Sequence, residues 1–459
     1  MFNLKKITMR KIFTITALII LVSMSVKAQW MPQATGFPQP SVGINYISAV
    51  NQNVLWAIGY DGSGGTALMQ SFTKTTDGGT TWTAGTISGF TTYEPSMICA
   101  IDANTAWVPL FTSNSLGGVL VKTTDGGATW TQQNTAAFAA PDGFPNVVHF
   151  WDADNGFCMG DPMGGYFEIY TTTNGGTTWA RTPQANIPAI LSGEFGVVGY
   201  YSVVGNTIWY GTNKGRVYKS VDKGLNWTVS VTSFSNHYVD VDFLTQTYGI
   251  AREMGTGTGT ITGQLCETMD GGTTWTSIPL PTLMYTSGFS WVPGTPNYCV
   301  TTGSAATASG AAFSFNGGHT WTDFDATSGV QFLHTAWVDN SNGWAGAFTD
   351  QTTPSTVGGM YKYGGVLTDI MQIDPKQGDV KVYPNPSNGN LTFAIVGFEN
   401  KDVTVSIFNS LGQAVYSNVC KENLISYNYN ADLSSFSSGV YFAKIQCGKK
   451  IINQKLVIE

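Results

Sequence analysis

The stretch Lys74-Thr-Thr-Asp-Gly-Gly-Thr-Thr-Trp82 constrains this chain more than any other, because five further copies follow it and end at Trp130, Trp179, Trp227, Trp275 and Trp321. Successive tryptophans are 48, 49, 48, 48 and 46 residues apart. In the typical copy a Thr-rich run meets Asp or Asn, then Gly, then Thr and Trp, which is the pattern of two strands joined by a tight turn. Such a hairpin buries little by itself, so a fixed period of this length in a Gly-rich, β-branched chain predicts four-stranded blades packed side by side as a propeller.

Comparing the copies separates what the turn needs from what it tolerates. The second glycine (Gly79, Gly127, Gly176, Gly224, Gly272, Gly318) never varies, whereas Lys223 replaces the first in the fourth copy. The turn acceptor is Asp77, Asp125, Asp222 and Asp270 in four copies and Asn174 and Asn316 in two. An amide oxygen therefore serves as well as a carboxylate, which identifies these residues as hairpin caps and not as metal ligands or catalytic acids.

The fourth strand that follows each tryptophan has a counterpart at the start of the chain. Trp30-Met-Pro-Gln-Ala-Thr-Gly-Phe37 repeats the pattern Trp82-Thr-Ala-Gly-Thr-Ile-Ser-Gly-Phe90, and Gly359-Met-Tyr-Lys-Tyr363 fits as its missing third strand. Six boxes and one split blade predict seven blades, closed by the N-terminal strand. A second recurring element, near Trp56, Trp107, Phe157, Trp209, Tyr248, Tyr298 and Trp344, gives the same count. Closure through both termini removes unpaired strand edges.

The ends specify an address. Basic Lys5, Lys6, Arg10 and Lys11, an apolar run from Ile12 to Val26, and Val26-Lys27-Ala28 are the parts of a secretory signal peptide spanning 1–28. No later stretch is long and apolar enough for a transmembrane helix. Removing residues 1–28 leaves 17 basic against 29 acidic residues, a net charge of about −12. Such a surface has no electrostatic footprint for nucleic acid, and favours a neutral or cationic ligand over an anion. Six cysteines fit no metal spacing; Cys99, Cys158, Cys266 and Cys299 fall in strands of different blades and are expected as buried thiols. Cys420 and Cys447 are the one pair worth testing for a bridge. No cofactor or metal motif is present.

The predicted organisation is thus a propeller over 29–365, a linker over 366–379 that loses the repeat, and a smaller unit over 380–459. There, strands recur about every ten residues between turns, as in a small Ig-like β-sandwich.

The repeated motif resembles the Asp-box (BNR) repeat of sialidases, xyloglucanases, sorting receptors and propellers related to photosystem II assembly factors. The resemblance implies that the boxes join third to fourth strands, on the face away from the usual binding site. Residues 380–459 resemble the type A sorting domain of the type IX secretion system, through Tyr383-Pro-Asn-Pro, Gly389, Ile407-Phe-Asn-Ser-Leu-Gly412, Ser438-Gly-Val-Tyr441 and the closing Lys455-Leu-Val-Ile. That implies handling by this machinery and delivery to the outer surface of a Gram-negative cell, or release from it.

Loops on the opposite face supply the candidate ligand contacts: Glu94, Asp142, Asp161, Glu194, Arg216, His237, Arg252, Glu253 and His334, with Tyr93, Phe144 and Lys214 nearby. A sialidase needs three converging arginines, yet the mature chain has only Arg181, Arg216 and Arg252, and Arg181 falls in an outer strand. The predicted role is a binding or adhesion scaffold for protein or glycan. The alternative is a glycan hydrolase with a carboxylate pair in the propeller mouth.

Overall fold

The computed structural model describes the chain except residues 1–29, 40, 63–67, 113–116, 141, 255–262, 280–284, 306–307, 326–328, 348–358, 368–378, 397–401, 421–425 and 448–449. The predicted signal peptide and most of the predicted linker therefore lie outside the described residues. The chain divides into two compact units, 1–368 and 369–459.

The first unit is all β. Its described residues form seven antiparallel sheets, each built around a meander of about four strands. Blade 1 is typical: Val42–Ala49 pairs with Leu55–Asp61, which pairs with Ser71–Thr75, which pairs with Thr83–Thr86. Blade 2 differs in having its first strand broken into Tyr93–Pro95 and Cys99–Ala100, both paired with Ala106–Thr112. Blades 3 to 7 begin with Pro145–Phe150, Gly196–Val204, Val239–Phe243, Gly288–Trp291 and Phe332–Asp339. Contacts between blades follow the chain from the first to the seventh and return from Phe332–Asp339 to Val42–Ala49, so the sheets form a closed ring.

Closure comes from the N-terminal strand. Trp30–Ala34 pairs with Gly359–Tyr363, setting Trp30 opposite Tyr363 and Pro32 opposite Tyr361. The Trp30 indole is buried, with the rings of Phe332, Tyr363, Trp337 and Phe324 at centroid distances of 5.6, 5.7, 5.9 and 6.1 Å.

The boxes act as caps. In the first, Thr75 Oγ1–H donates to Asp77 Oδ1 (2.8 Å), and the Gly79 N–H donates to Thr75 Oγ1 (2.9 Å). The Thr81 N–H and hydroxyl donate to the two oxygens of Asp77 at 2.9 and 2.6 Å. These bonds, the Thr81 hydroxyl first, hold the Asp77 carboxyl down at about 2. Asn174 keeps the geometry: its Oδ1 accepts from the Thr178 N–H at 3.0 Å, while its Nδ2 donates to Thr178 Oγ1 at 2.8 Å. The glycine pattern has a backbone cause. The second glycines sit at φ between 83° and 93°, beyond the left-handed well, whereas Lys223 at 60° lies inside it.

Neighbouring boxes are also tied together. Lys74 Nζ–H donates to Gly126 O in the next box (3.0 Å) and lies 4.7 Å from the Trp56 ring centre; Lys122 reaches Gly175 O (2.8 Å) and Lys362 reaches Gly78 O (2.8 Å). Blade 5 carries Glu267 at the lysine position, and there His319 of the sixth box stands 3.2 Å from its carboxylate.

The second unit holds a three-stranded and a four-stranded sheet around their own apolar core, which includes Phe393, Val405, Ile407, Ile445 and Leu456. Cys420 and Cys447 are both buried there. Their strands, Ala414–Cys420 and Gly439–Cys447, lie on opposite sides of Val403–Phe408, hence about 9–10 Å apart. That exceeds the roughly 7 Å Cα limit for a disulfide, so the sheet order disfavours the bridge considered from sequence.

Candidate functional site in the propeller channel

The first strand of each blade lines the axis of the ring, and strand alternation sends every second side chain of such a strand towards the channel. Val239–Phe243 reads Val-Asp-Val-Asp-Phe, with the apolar residues buried and Asp240 and Asp242 turned to the channel wall. Tyr46 comes from blade 1, Tyr200 and Tyr201 from blade 4, and His334 from blade 7. Together with Asn45, Arg252, Phe289 and Trp337 they line a cavity of about 620 Å³.

Two polar clusters make up its wall. Arg252 stands directly opposite Asp240 in strand register and forms an ion pair with it through Nη2. Its guanidinium carbon lies 5.1 Å from the centre of the Phe289 ring. Arg252 is 3% exposed, yet its Nε and Nη1 have no hydrogen-bond partner. Asp242 receives a long bond of 3.3 Å from the Ser202 hydroxyl. Burial, then the charge of Asp240, pushes the Asp242 carboxyl up to about 7. Burial also raises Asp240, against the opposing pull of Arg252.

The other cluster is aromatic. The Tyr46 and His334 rings lie 4.6 Å apart, and His149 Nδ1 is 3.3 Å from Tyr201 Oη. Burial lowers both His149 and His334 to about 4, so both are neutral at physiological pH. Burial raises Tyr200 to about 12 and Tyr46 further, so the phenols keep their protons. His334 Nδ1 and Asn45 Oδ1 are buried without a partner.

Of the nine sequence candidates, the structure places Arg252 and His334 in this cavity. Glu94 lines an adjoining space of about 370 Å³ with Tyr60, Met69 and Phe111, where burial raises its carboxyl. Glu194 and Arg216 form a buried ion pair of 2.8 Å, with Thr212 donating to the other Glu194 oxygen at 2.8 Å. His237 Nδ1 and Glu253 Oε1 lie 2.9 Å apart, and neither residue lines the central cavity. Asp161 accepts from the Asn146 amide (2.7 Å) and the Gly196 N–H (3.1 Å), and burial moves it up to about 6. Asp142 is exposed in a turn. The loop candidates are thus spread over several blades, mostly bonded to their own neighbours.

Sequence reasoning missed Asp240, Asp242, Tyr46, Tyr200 and Tyr201. The signal was the alternation of Val239 to Phe243 in the first strand of a blade. An acid at every second position there faces the axis, not bulk solvent. Among the described residues no group of three or more His, Cys, Asp or Glu side chains is gathered closely enough to hold a metal ion. No helix among them is long and apolar enough to cross a membrane.

Residues 381–459 match the secretion system C-terminal sorting domain. Comparison of the sequence with curated proteins returns no match. In structure the chain is similar to YCF48 bound to a D1 peptide, with 15% identity and a TM-score of 0.51 over 74% of this chain and 97% of the other. It is similar to the GH74 enzyme of Niastella koreensis, with 13% identity and a TM-score of 0.50 over 93% of this chain and 74% of the other. It is similar to the GH74 xyloglucanase of Xanthomonas campestris, with 12% identity and a TM-score of 0.50 over 80% of this chain and 59% of the other. At such identities the likeness establishes the propeller fold, which is shared by binding proteins and enzymes.

Proposed function

We propose that the protein is a secreted or cell-surface binding scaffold for protein or glycan, exported through the type IX machinery by way of residues 380–459. Export follows from the sorting domain. The binding role rests on the channel cavity, and chiefly on the arrangement of its carboxylates. A glycan hydrolase places its two carboxyls on either side of the scissile bond. Asp240 and Asp242 instead project side by side from one strand, and Asp240 is occupied by Arg252. One neighbour in structure, YCF48, is bound to a D1 peptide, which accords with a binding propeller.

A hydrolytic reading draws on one observation, the raised carboxyl of Asp242 beside the Arg252-paired carboxyl of Asp240, an arrangement by which enzymes divide acid and base roles. The two readings part on product analysis. The purified protein should retain ligand from a panel of proteins and polysaccharides and leave the polysaccharides intact; reproducible turnover abolished by Asp242→Asn contradicts the scaffold. Deleting residues 380–459 should keep the protein from the cell surface, and persistent surface delivery contradicts the export assignment.

A further inference from the structure

We infer that the channel cavity binds a neutral saccharide residue, whose hydroxyls bridge Arg252 and Asp242 and whose ring lies against Tyr46. This rests on the reading of the propeller as a binding module and narrows it to one ligand class.

The first argument is the hydrogen-bonding capacity left in the wall. Arg252 has two buried nitrogens without partners, Nε and Nη1, and Asn45 has a buried oxygen without one. Asp242 adds carboxyl oxygens, one of which accepts a long bond from Ser202. Buried groups of this kind cost free energy until they are matched, so a ligand that supplies both donors and acceptors gains most. A hydroxyl does both from one atom. In an extended peptide, N–H and C=O groups alternate in direction along the chain. Here donor and acceptor stand together, since Arg252 is directly opposite Asp240 and Asp242 is two residues on.

The second argument is charge. An anion would approach Asp240, and a cation would approach Arg252, so each is opposed by a buried like charge. The Arg252–Asp240 pair is internally balanced, and burial favours the protonated form of Asp242. A neutral oxygen-rich ligand meets no such penalty.

The third is shape. About 620 Å³ lies inside the roughly 300–1,000 Å³ usual for small-molecule sites. Tyr46 and Tyr200, both half-buried at the wall, give it aromatic surface against which the C–H face of a pyranose can pack.

The test uses the purified protein carrying both units, on an array of neutral hexose oligosaccharides, uronate-containing oligosaccharides and free-amine glucosamine oligosaccharides. Neutral glycans should be retained. Affinity for the strongest of them should fall at least tenfold in Asn45→Ala and in the double variant Asp240→Asn, Arg252→Gln, which keeps a polar pair but removes the guanidinium donors. The mild Asn45→Ala change keeps the test decisive if the double variant does not fold. Preference for uronates or amines, or neutral binding unchanged in Asn45→Ala, overturns the inference. A blank array also overturns it, and a displayed-peptide library on the same protein then shows whether the binding-module reading falls too.

Discussion

The box turns and the channel wall are built from the same blades and obey opposite rules. Six turns repeat one solution, and each satisfies its acceptor locally: Asp77 takes bonds from Thr75 and Thr81, and Asn174 takes the equivalent ones from Thr172 and Thr178. The channel wall repeats nothing. Blade 1 brings Asn45 and Tyr46, blade 4 Tyr200 and Tyr201, blade 5 Asp240, Asp242 and Arg252, and blade 7 His334; of these Arg252, His334 and Asn45 retain unmatched polar atoms. Repetition here marks what holds the ring together, and departure from repetition marks where the molecule has something to recognise.

Both halves of this comparison presuppose a closed ring, so the largest expected effect comes from opening it. Trp30→Ala removes an indole packed against four aromatic rings and should cost about 3–5 kcal/mol in denaturant unfolding. A loss below 1 kcal/mol would mean that the N-terminal strand is not what closes the ring.

The channel should show its buried charge through pH. The raised carboxyl of Asp242 contributes stability that is present at low pH and lost as pH rises through about 7. His149 and His334, lowered to about 4, contribute in the other sense: their stability is present above about 6.5 and lost as pH falls. Asp161, raised to about 6, opposes the histidines over that lower range. Between pH 8 and 6.5 the gain from Asp242 is nearly cancelled by the loss from the two histidines, so the stability of the parent should be almost flat there. Asp242→Asn should leave the histidine term unopposed, so that stability falls as pH drops from 8 to 6.5, and should stabilise the protein at pH 8 by about 1–3 kcal/mol, read from melting curves. An unchanged slope would place Asp242 in contact with solvent.

Smaller effects separate the two glycine positions of the turn. Gly224→Ala forces a Cβ onto φ 93° although its nearest contact would be 3.4 Å away, so backbone strain alone should cost about 1–3 kcal/mol. Lys223→Gly, at a φ of 60° within the left-handed well, should change stability by less than about 1 kcal/mol. Equal costs would break the account of why one glycine is invariant. Smaller still, Lys74→Met removes two bonds to carbonyls and a contact with Trp56, and should cost about 1 kcal/mol by chemical denaturation.

The box turns were legible because their chemistry is local: a cap, a left-handed glycine and a tryptophan within nine residues. Closure was legible because Trp30 carries the fourth-strand pattern without a third strand before it. The channel was harder to read for a physical reason. Val239-Asp-Val-Asp-Phe243 has the alternation of an ordinary surface strand, and only the position of that strand at the axis turns its polar face into a cavity wall. The loop candidates misdirect for the complementary reason. Glu194 and Arg216 stand 22 residues apart and look like independent surface charges, but the fold brings them into a buried pair of 2.8 Å.

The most direct test is one titration of three proteins with the strongest neutral glycan from the array: the parent, the double box variant Asn174→Asp, Asn316→Asp, and the channel variant Asn45→Ala. The account predicts that the box variant binds as the parent does and that the channel variant binds at least tenfold more weakly. Weakened binding in the box variant with unchanged binding in the channel variant would contradict it.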